Sequence, residues 1–311
     1  GITGIVLATA AALMAYRLAQ RFADRRSALW AVIGVWVGGH AIYYSLVSPA
    51  YSHAASMFFA TAFFAHWIGA RSRWGTRDAA ISGVLAGLAA LMRWQDAVFL
   101  IVPVWESLRQ RAAFATRAGA VAACGIGALV GFSPQMAVWQ ALYGRPFALP
   151  QGPSFLEWWA PNPIAVLFSD YHGLFTWSPI LVLSMWGLVT LFKRERALIG
   201  PVALVLLISW YVNAAVVDWW AGEAYGARRF LSLFPLFVVG LAVWIDGSAA
   251  PSRAPRVGLV AAFVVANGLL LVQYQAFMKG LRDLSPYPGG LVGFWLERFV
   301  VPWRLLGRWL G

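Results

Sequence analysis

Long apolar stretches alternate with short polar breaks along most of this chain. Ten apolar runs stand out, at about 2–20, 29–47, 53–70, 79–92, 97–108, 118–140, 174–192, 197–217, 230–246 and 257–278. Several approach the roughly 20 residues that a helix needs to cross the ~30 Å hydrocarbon layer of a bilayer. Lipid offers no hydrogen bonds to backbone N–H and C=O groups, so a spanning run must satisfy them internally as a helix. The pattern predicts an all-α protein, a polytopic transmembrane helical bundle of about ten spans.

The polar breaks give the bundle a direction. Basic residues crowd into Arg17 to Arg26, Arg71 to Arg77, Arg109 to Arg117, Lys193 to Arg196, and Arg253 with Arg256. By the positive-inside rule all of these connectors face the cytoplasm. That rule decides the reading of 79–108. One span there would put Arg71–Arg77 and Arg109–Arg117 on opposite sides, whereas a short hairpin turning at Arg93-Trp-Gln-Asp96 keeps both inside. Its first arm of about 14 residues is only about 21 Å long, short of the ~30 Å core. The turn is therefore expected to sink below the outer surface, where protein or a water-filled cavity must cover its backbone.

The outer face then receives Tyr51-Ser-His53, the Arg93–Asp96 turn, the loops 141–173 and 218–229, and the tail. In the tail, Glu297, Arg304 and Arg308 fall on one narrow face at about 100° per residue. Trp295, Trp303 and Trp309 are interfacial anchors, and Pro302 is expected to kink or break a helix. Residues 281–311 read as an amphipathic element on the outer surface or packed on the protein, and residues 1–280 as the membrane domain.

Composition agrees: 61% of the 311 residues are hydrophobic, and the mean hydropathy is +0.68. The net charge of +12 does not point to nucleic acid, because the basic residues sit in the connectors. The single cysteine, Cys124, lies in an apolar run, which excludes an internal disulfide framework. The chain begins at Gly1 inside an apolar run without Met, so an upstream piece is expected.

The densest chemistry is Asp218-Trp-Trp-Ala-Gly-Glu223-Ala-Tyr-Gly-Ala-Arg228-Arg229-Phe230. Two acids and two arginines at a membrane boundary suggest a site for a charged, partly greasy substrate. The guanidinium fork matches phosphate, so Arg228 and Arg229 are candidate anion ligands, with Asp218 and Glu223 as candidate carboxylates. The plainer reading is an ion-pair cluster anchoring the next helix. Gly222 and Gly226 allow a tight backbone there. Next comes Phe168-Ser-Asp170-Tyr-His172-Gly, where Asp170 and His172 either orient an acceptor hydroxyl or contact a phosphate, or Asp170 caps a helix while Tyr171 and Trp177 form an interfacial belt. Arg93 and Asp96 either pair with each other, with Asp96 as a helix cap, or present Arg93 to a ligand. His53 beside Tyr51 is either structural or a ligand-binding group, and His40 and His66 read as packed. No histidines and acids stand at metal-ligand spacing. The proline-rich loop 141–173 carries Trp158 and Trp159, suited to lipid headgroups or a sugar face.

Three stretches resemble the GT-C class of integral-membrane glycosyltransferases, near glycosyltransferase family 39, the bacterial relatives of protein O-mannosyltransferases and the lipid A aminoarabinose transferase. They are Tyr16-Arg-Leu-Ala-Gln-Arg-Phe22 with Tyr51-Ser-His53; Gly83-Val-Leu-Ala-Gly-Leu-Ala-Ala-Leu-Met-Arg93; and Gly173-Leu-Phe-Thr-Trp-Ser-Pro179 with Trp219-Trp-Ala-Gly-Glu-Ala-Tyr-Gly-Ala-Arg-Arg229. The resemblance implies transfer of a sugar from a polyprenyl-phosphate carrier to an envelope glycan, lipid or protein acceptor, at the outer face of the cytoplasmic membrane. It implies that Arg228, Arg229 and Arg93 hold the phosphate and that a carboxylate serves as base. Relatives usually carry that acid in the first outer loop, after a first span, and this chain begins too late to contain it. Some members of the wider class use a divalent cation; no clear ligand set stands here. A polysaccharide ligase or polymerase shares most of these features and differs in transferring whole chains. A transporter fits less well, since polar residues within the spans (Asn213, Asn267, His40) are sparse and the charges gather on one face.

Overall fold

The computed structural model describes residues 1–148, 150–247, 250–278 and 287–310. The chain is all-helical, and no β-strand occurs among the described residues. Its long helices are α1 (Ile2–Ala19), α2 (Arg25–Val37), α3 (His53–Ala70), α4 (Thr76–Met92), α5 (Ile101–Arg109) and α6 (Phe114–Tyr143). After the loop that follows α6 come the single turns α7 (Ala165–Phe168) and α8 (Leu174–Trp177), then α9 (Ile180–Arg194), α10 (Ile199–Ala214), α11 (Phe234–Asp246), α12 (Ala250–Gln273) and α13 (Gly290–Leu310). Five helical stretches are long and apolar enough to cross a membrane: Ile2–Ala19, Phe114–Tyr143, Arg196–Ala214, Arg228–Asp246 and Arg253–Ala276.

α11 is the axis of the bundle. All of its side chains except Trp244 and Asp246 are buried, and it packs against α9, α2, α1 and α3. The contact with α9 is backbone on backbone, Gly187 against Gly240. Small residues let helices approach this closely, which matters in lipid because apolar surface alone does not drive helices together there.

A second close contact joins α4 to α6. A methyl group added to Gly83 would stand 2.9 Å from the Cys124 carbonyl carbon, and one on Gly87 would stand 3.0 Å from that of Ala128. The register advances in the same sense along both helices, so α4 and α6 run parallel. The chain therefore turns back between them. It breaks at Arg93, whose backbone is extended, and returns through a 3-10 stretch (Trp94–Leu100) and α5. The basic connectors before α4 and after α5 lie at the same end as a result.

Two elements differ from the apolar pattern. The run 29–47 is not one helix: α2 stops at Val37, and a π-helical turn, Tyr43–Val47, follows. Gly38 and Gly39 open the gap, and Asn267 of α12 closes it by donating Nδ2 to the Val37 and Gly39 carbonyls at 2.7 and 2.9 Å. The tail helix, in contrast, runs through Pro302, which removes one backbone donor without ending the element. Its inner face carries Phe294, Arg298 and Val301, and Arg304 donates to Glu297 on the outer side. Residues 281–286 of the tail lie outside the described residues.

Candidate functional site

The loop before α11 is shaped by left-handed backbone. Ala221, Gly222 and Gly226 have φ of +65°, +60° and +65°. Gly226 presses on His40: a methyl group there would lie 3.1 Å from the His40 Cβ. The Tyr225 amide donates to the Tyr44 hydroxyl at 2.8 Å, which ties the loop to the turn after α2. Tyr43, Tyr225 and Tyr274 stack around this tie, with Trp177 on their far side. Trp177 is thus core and not part of an interfacial belt.

This folding separates the two adjacent arginines. Arg229 donates Nη1 to the Asp218 carbonyl and Nη2 to the Asp218 carboxylate, both at 2.6 Å. Arg228 has no carboxylate within ion-pair distance among the described residues; its guanidinium lies 5.8 Å from the centre of the Tyr51 ring. Arg93 approaches from α4, its Nη1 2.5 Å from Nδ1 of His53, which must accept this bond as a neutral ring. Its Nε is buried with no hydrogen-bond partner among the described residues. Arg93, Arg228, Arg229 and His40 all stand close enough to His53 to act on it electrostatically. The result is a basic cluster walled by Tyr44, whose ring is 4.6 Å from His53, and by Tyr51.

Asp96 makes no ion pair within 4 Å with Arg93, although the two act on each other electrostatically, and it does not cap the following helix. Its carboxylate accepts from the Ser56 hydroxyl at 2.6 Å and from the Ser232 side chain. It thereby pins the start of α3 and the stretch Arg228–Leu233 to the returning chain, which aims Arg93 and Arg228 at the same space. Gln95 adds a second pin by donating to Asn213 Oδ1 at 3.1 Å.

The remaining candidates lie around this cluster. Asp170 accepts the Tyr287 amide at 2.7 Å, and its own carbonyl accepts from Trp177 Nε1, so it anchors the tail to the bundle and does not cap a helix. His172 takes φ +69° and donates Nδ1–H to the Trp220 carbonyl at 2.8 Å. Burial pushes its pKa down to about 4. Glu223 is exposed on the loop, and its carbonyl accepts from the Tyr274 hydroxyl at 3.1 Å. No group of three or more His, Cys, Asp or Glu residues among the described residues is arranged to hold a metal ion.

Arg93 also borders a cavity of about 380 Å³ between the end of α4, α6 and the loop that follows α6. Trp94, Phe132, Trp139, Phe155 and Trp158 form its walls. This loop is held over it by the end of α10: Glu157 and Asn162 amides donate to the Ala215 and Ala214 carbonyls at 2.7 and 2.8 Å. Trp158 stacks on Tyr211, while Trp159 is almost fully exposed.

No protein-family model, curated protein or solved structure matches this chain. The site is therefore argued from its own geometry. Sequence reasoning singled out Arg93, Arg228 and His53, which the fold brings together. It also proposed Arg229 and Asp218, which bind each other, and Asp170 and His172, which are engaged structurally nearby. It missed Tyr44, Tyr225, Ser56 and Ser232. Those residues look like ordinary helix and turn residues, and only their long-range partners mark them.

Proposed function

We propose that this chain is an integral-membrane glycosyltransferase of the GT-C type, moving a sugar from a polyprenyl-phosphate carrier to an acceptor at the outer face of the cytoplasmic membrane. In this reading the bundle has about ten spans, the basic connectors lie inside, and the basic cluster opens outward. One observation carries the reading. Arg93 stands at the junction of a cluster of cations and an apolar, aromatic-walled groove. A phosphate head with a long unsaturated tail fits that combination: the head meets Arg93 and Arg228, and the tail lies along Trp94, Trp139 and Phe155.

In the reaction, a base takes the proton of the acceptor hydroxyl, the hydroxyl oxygen attacks the anomeric carbon, and the carrier phosphate departs with the bonding pair. Arg228 and Arg93 stabilise the charge that grows on the phosphate. We assign Glu223, which is exposed on the loop between Asp218 and Arg228, as candidate base.

The test is transfer from a labelled polyprenyl-phosphate sugar in proteoliposomes. Arg228→Gln and Arg93→Gln are each expected to lower turnover by about 10²–10³, the usual effect of removing one oxyanion donor. Near-normal transfer by Arg228→Gln, with correct membrane insertion, would overturn the assignment.

A further inference from the structure

Most tyrosines around the basic cluster are fully engaged. Tyr43, Tyr44, Tyr225 and Tyr274 are each at most 7% exposed. The Tyr44 hydroxyl accepts the Tyr225 amide, the Tyr225 hydroxyl donates to Asn267 Oδ1 at 2.9 Å, and the Tyr274 hydroxyl donates to the Glu223 carbonyl. Tyr51 differs. It is 54% exposed, and its hydroxyl makes no hydrogen bond among the described residues. It is nevertheless part of the cluster: its ring centre lies 5.8 Å from the Arg228 guanidinium, 6.0 Å from the His53 ring and 6.2 Å from the Tyr44 ring. An open ring of this kind offers a flat apolar face with a polar tip.

The turn that carries Tyr51 is fixed on both sides. A methyl group added to Gly4 of α1 would stand 2.9 Å from the Pro49 carbonyl carbon, so the turn packs backbone on backbone against α1. Beyond it, Arg93 bonds to His53 and Ser56 to Asp96, which hold the start of α3. The ring is thus placed without the help of its own hydroxyl, and a surface ordered in advance binds at a lower entropic cost. The direction of the carrier decides what meets this surface. Arg93 lines the aromatic groove, whereas Arg228, His53 and Tyr51 do not. A phosphate held by Arg93 and Arg228, with its tail in the groove, turns its other ester oxygen toward Arg228 and Tyr51.

We infer that Tyr51 is the platform for the carrier's sugar: the apolar C–H face of a pyranose packs on the open ring, and the Tyr51 hydroxyl bonds to a sugar hydroxyl. This rests on the transferase reading above and adds to it the residue that tells a loaded carrier from a bare one. After transfer the carrier keeps its phosphate contacts with Arg93 and Arg228 and has nothing left to place on Tyr51. The platform therefore favours binding of the donor over retention of the product.

Undecaprenyl phosphate and undecaprenyl phosphoryl glucose, mannose and galactose are titrated onto the full chain in phosphatidylcholine nanodiscs. The natural protein is expected to bind at least one loaded carrier about tenfold more tightly than the bare one. Tyr51→Ala is expected to bring the two within about twofold and to leave affinity for the bare carrier unchanged, while Tyr51→Phe, which keeps the ring, retains about a threefold preference. Should the alanine variant fail to fold, Tyr51→Leu, which keeps apolar bulk without a flat face, takes its place. Equal weakening of both carriers would make the ring a support for Arg228, and no effect on either would make it an interfacial anchor; each result overturns the inference. So does a natural protein that binds the bare carrier as tightly as every loaded one, a result that leaves the phosphate site standing. Failure of the transferase reading looks different: the natural protein then binds neither the bare carrier nor a loaded one, and the platform falls with it.

Discussion

Replacing Gly187 by alanine tests the packing that places the basic cluster. The new methyl carbon would stand 2.6 Å from the Gly240 carbonyl carbon, closer still to its oxygen, and 3.0 Å from the Trp244 nitrogen. Two carbon atoms in good contact are at least about 3.5 Å apart, so α9 and α11 must separate by at least about 0.9 Å (3.5 − 2.6) to clear the carbon, and by more to clear the oxygen. The obstacle is backbone on α11, and no side chain can rotate away. Overpacking usually costs about 1–3 kcal/mol, and a rigid obstacle places this change at the top of that range. About 3 kcal/mol corresponds to roughly a 100-fold shift in the folding equilibrium. Unfolding in mixed micelles by added ionic detergent measures it. Gly119→Ala on α6 is the control: nothing stands within 4 Å of its added methyl, so it is expected to leave stability unchanged or to raise it by up to about 1 kcal/mol. Because Arg228 leads into α11, the displacement is also expected to weaken the phosphate binding proposed for Arg228. Equal stability of Gly187→Ala and Gly119→Ala would refute the claim that backbone contact sets the position of α11.

Further outcomes follow from the same structure. Arg229→Gln is expected to destabilise the loop by about 1 kcal/mol, the figure for a charged hydrogen bond discounted because Asp218 is 44% exposed, whereas Arg228→Gln leaves unfolding unchanged; detergent titration of both variants checks the split. Asp24 caps α2 through the Ser27 amide, which holds its carboxyl below the usual range. Asp24→Ala is expected to cost about 1 kcal/mol at neutral pH. A depressed carboxyl contributes stability above its unfolded pKa and loses it as pH falls through the lower folded value, so the difference between Asp24→Ala and the natural protein is expected to vanish in acid. His172 behaves in the same sense for a different reason. Its folded pKa of about 4 lies below the usual 6.5, so between these values the unfolded chain takes up a proton that the native protein refuses. Stability is expected to fall as pH drops from about 6.5 toward 4, and His172→Asn, which tolerates the left-handed backbone, is expected to lose that part of the slope.

Much of the architecture is legible in the sequence because it is set by local composition. Apolar runs dictate helices, and the all-helical fold follows from them. Arg93-Trp-Gln-Asp96 is legible as a break because a charged tetrapeptide interrupts two short runs, and the chain does break at Arg93. The gap after α2 is not legible. Glycines 38 and 39 permit it, but the donor that stabilises it is Asn267, remote in sequence, and nothing near residue 38 announces that partner. Asp96 is misleading for the same reason. Its nearest charge in sequence is Arg93, yet two serines from α3 and from the stretch before α11 reach it first.

The arginine pair shows where local reading stops. Arg228 and Arg229 are chemically equal, and a sequence argument has to treat them as one clamp. Their difference arises from backbone conformation ten residues earlier. The Asp218 carbonyl accepts the Ala221 amide at 2.7 Å, and Ala221 and Gly222 then take left-handed φ, so the chain doubles back and returns Asp218 to the side chain of Arg229. Arg229 thereby serves the loop. The next side chain back, on a 3-10 stretch held by Ser232 and Asp96, is turned toward Tyr51 and the basic cluster. One arginine fixes the geometry that leaves the other available to an anion, and this division follows from the turn, not from the type of residue.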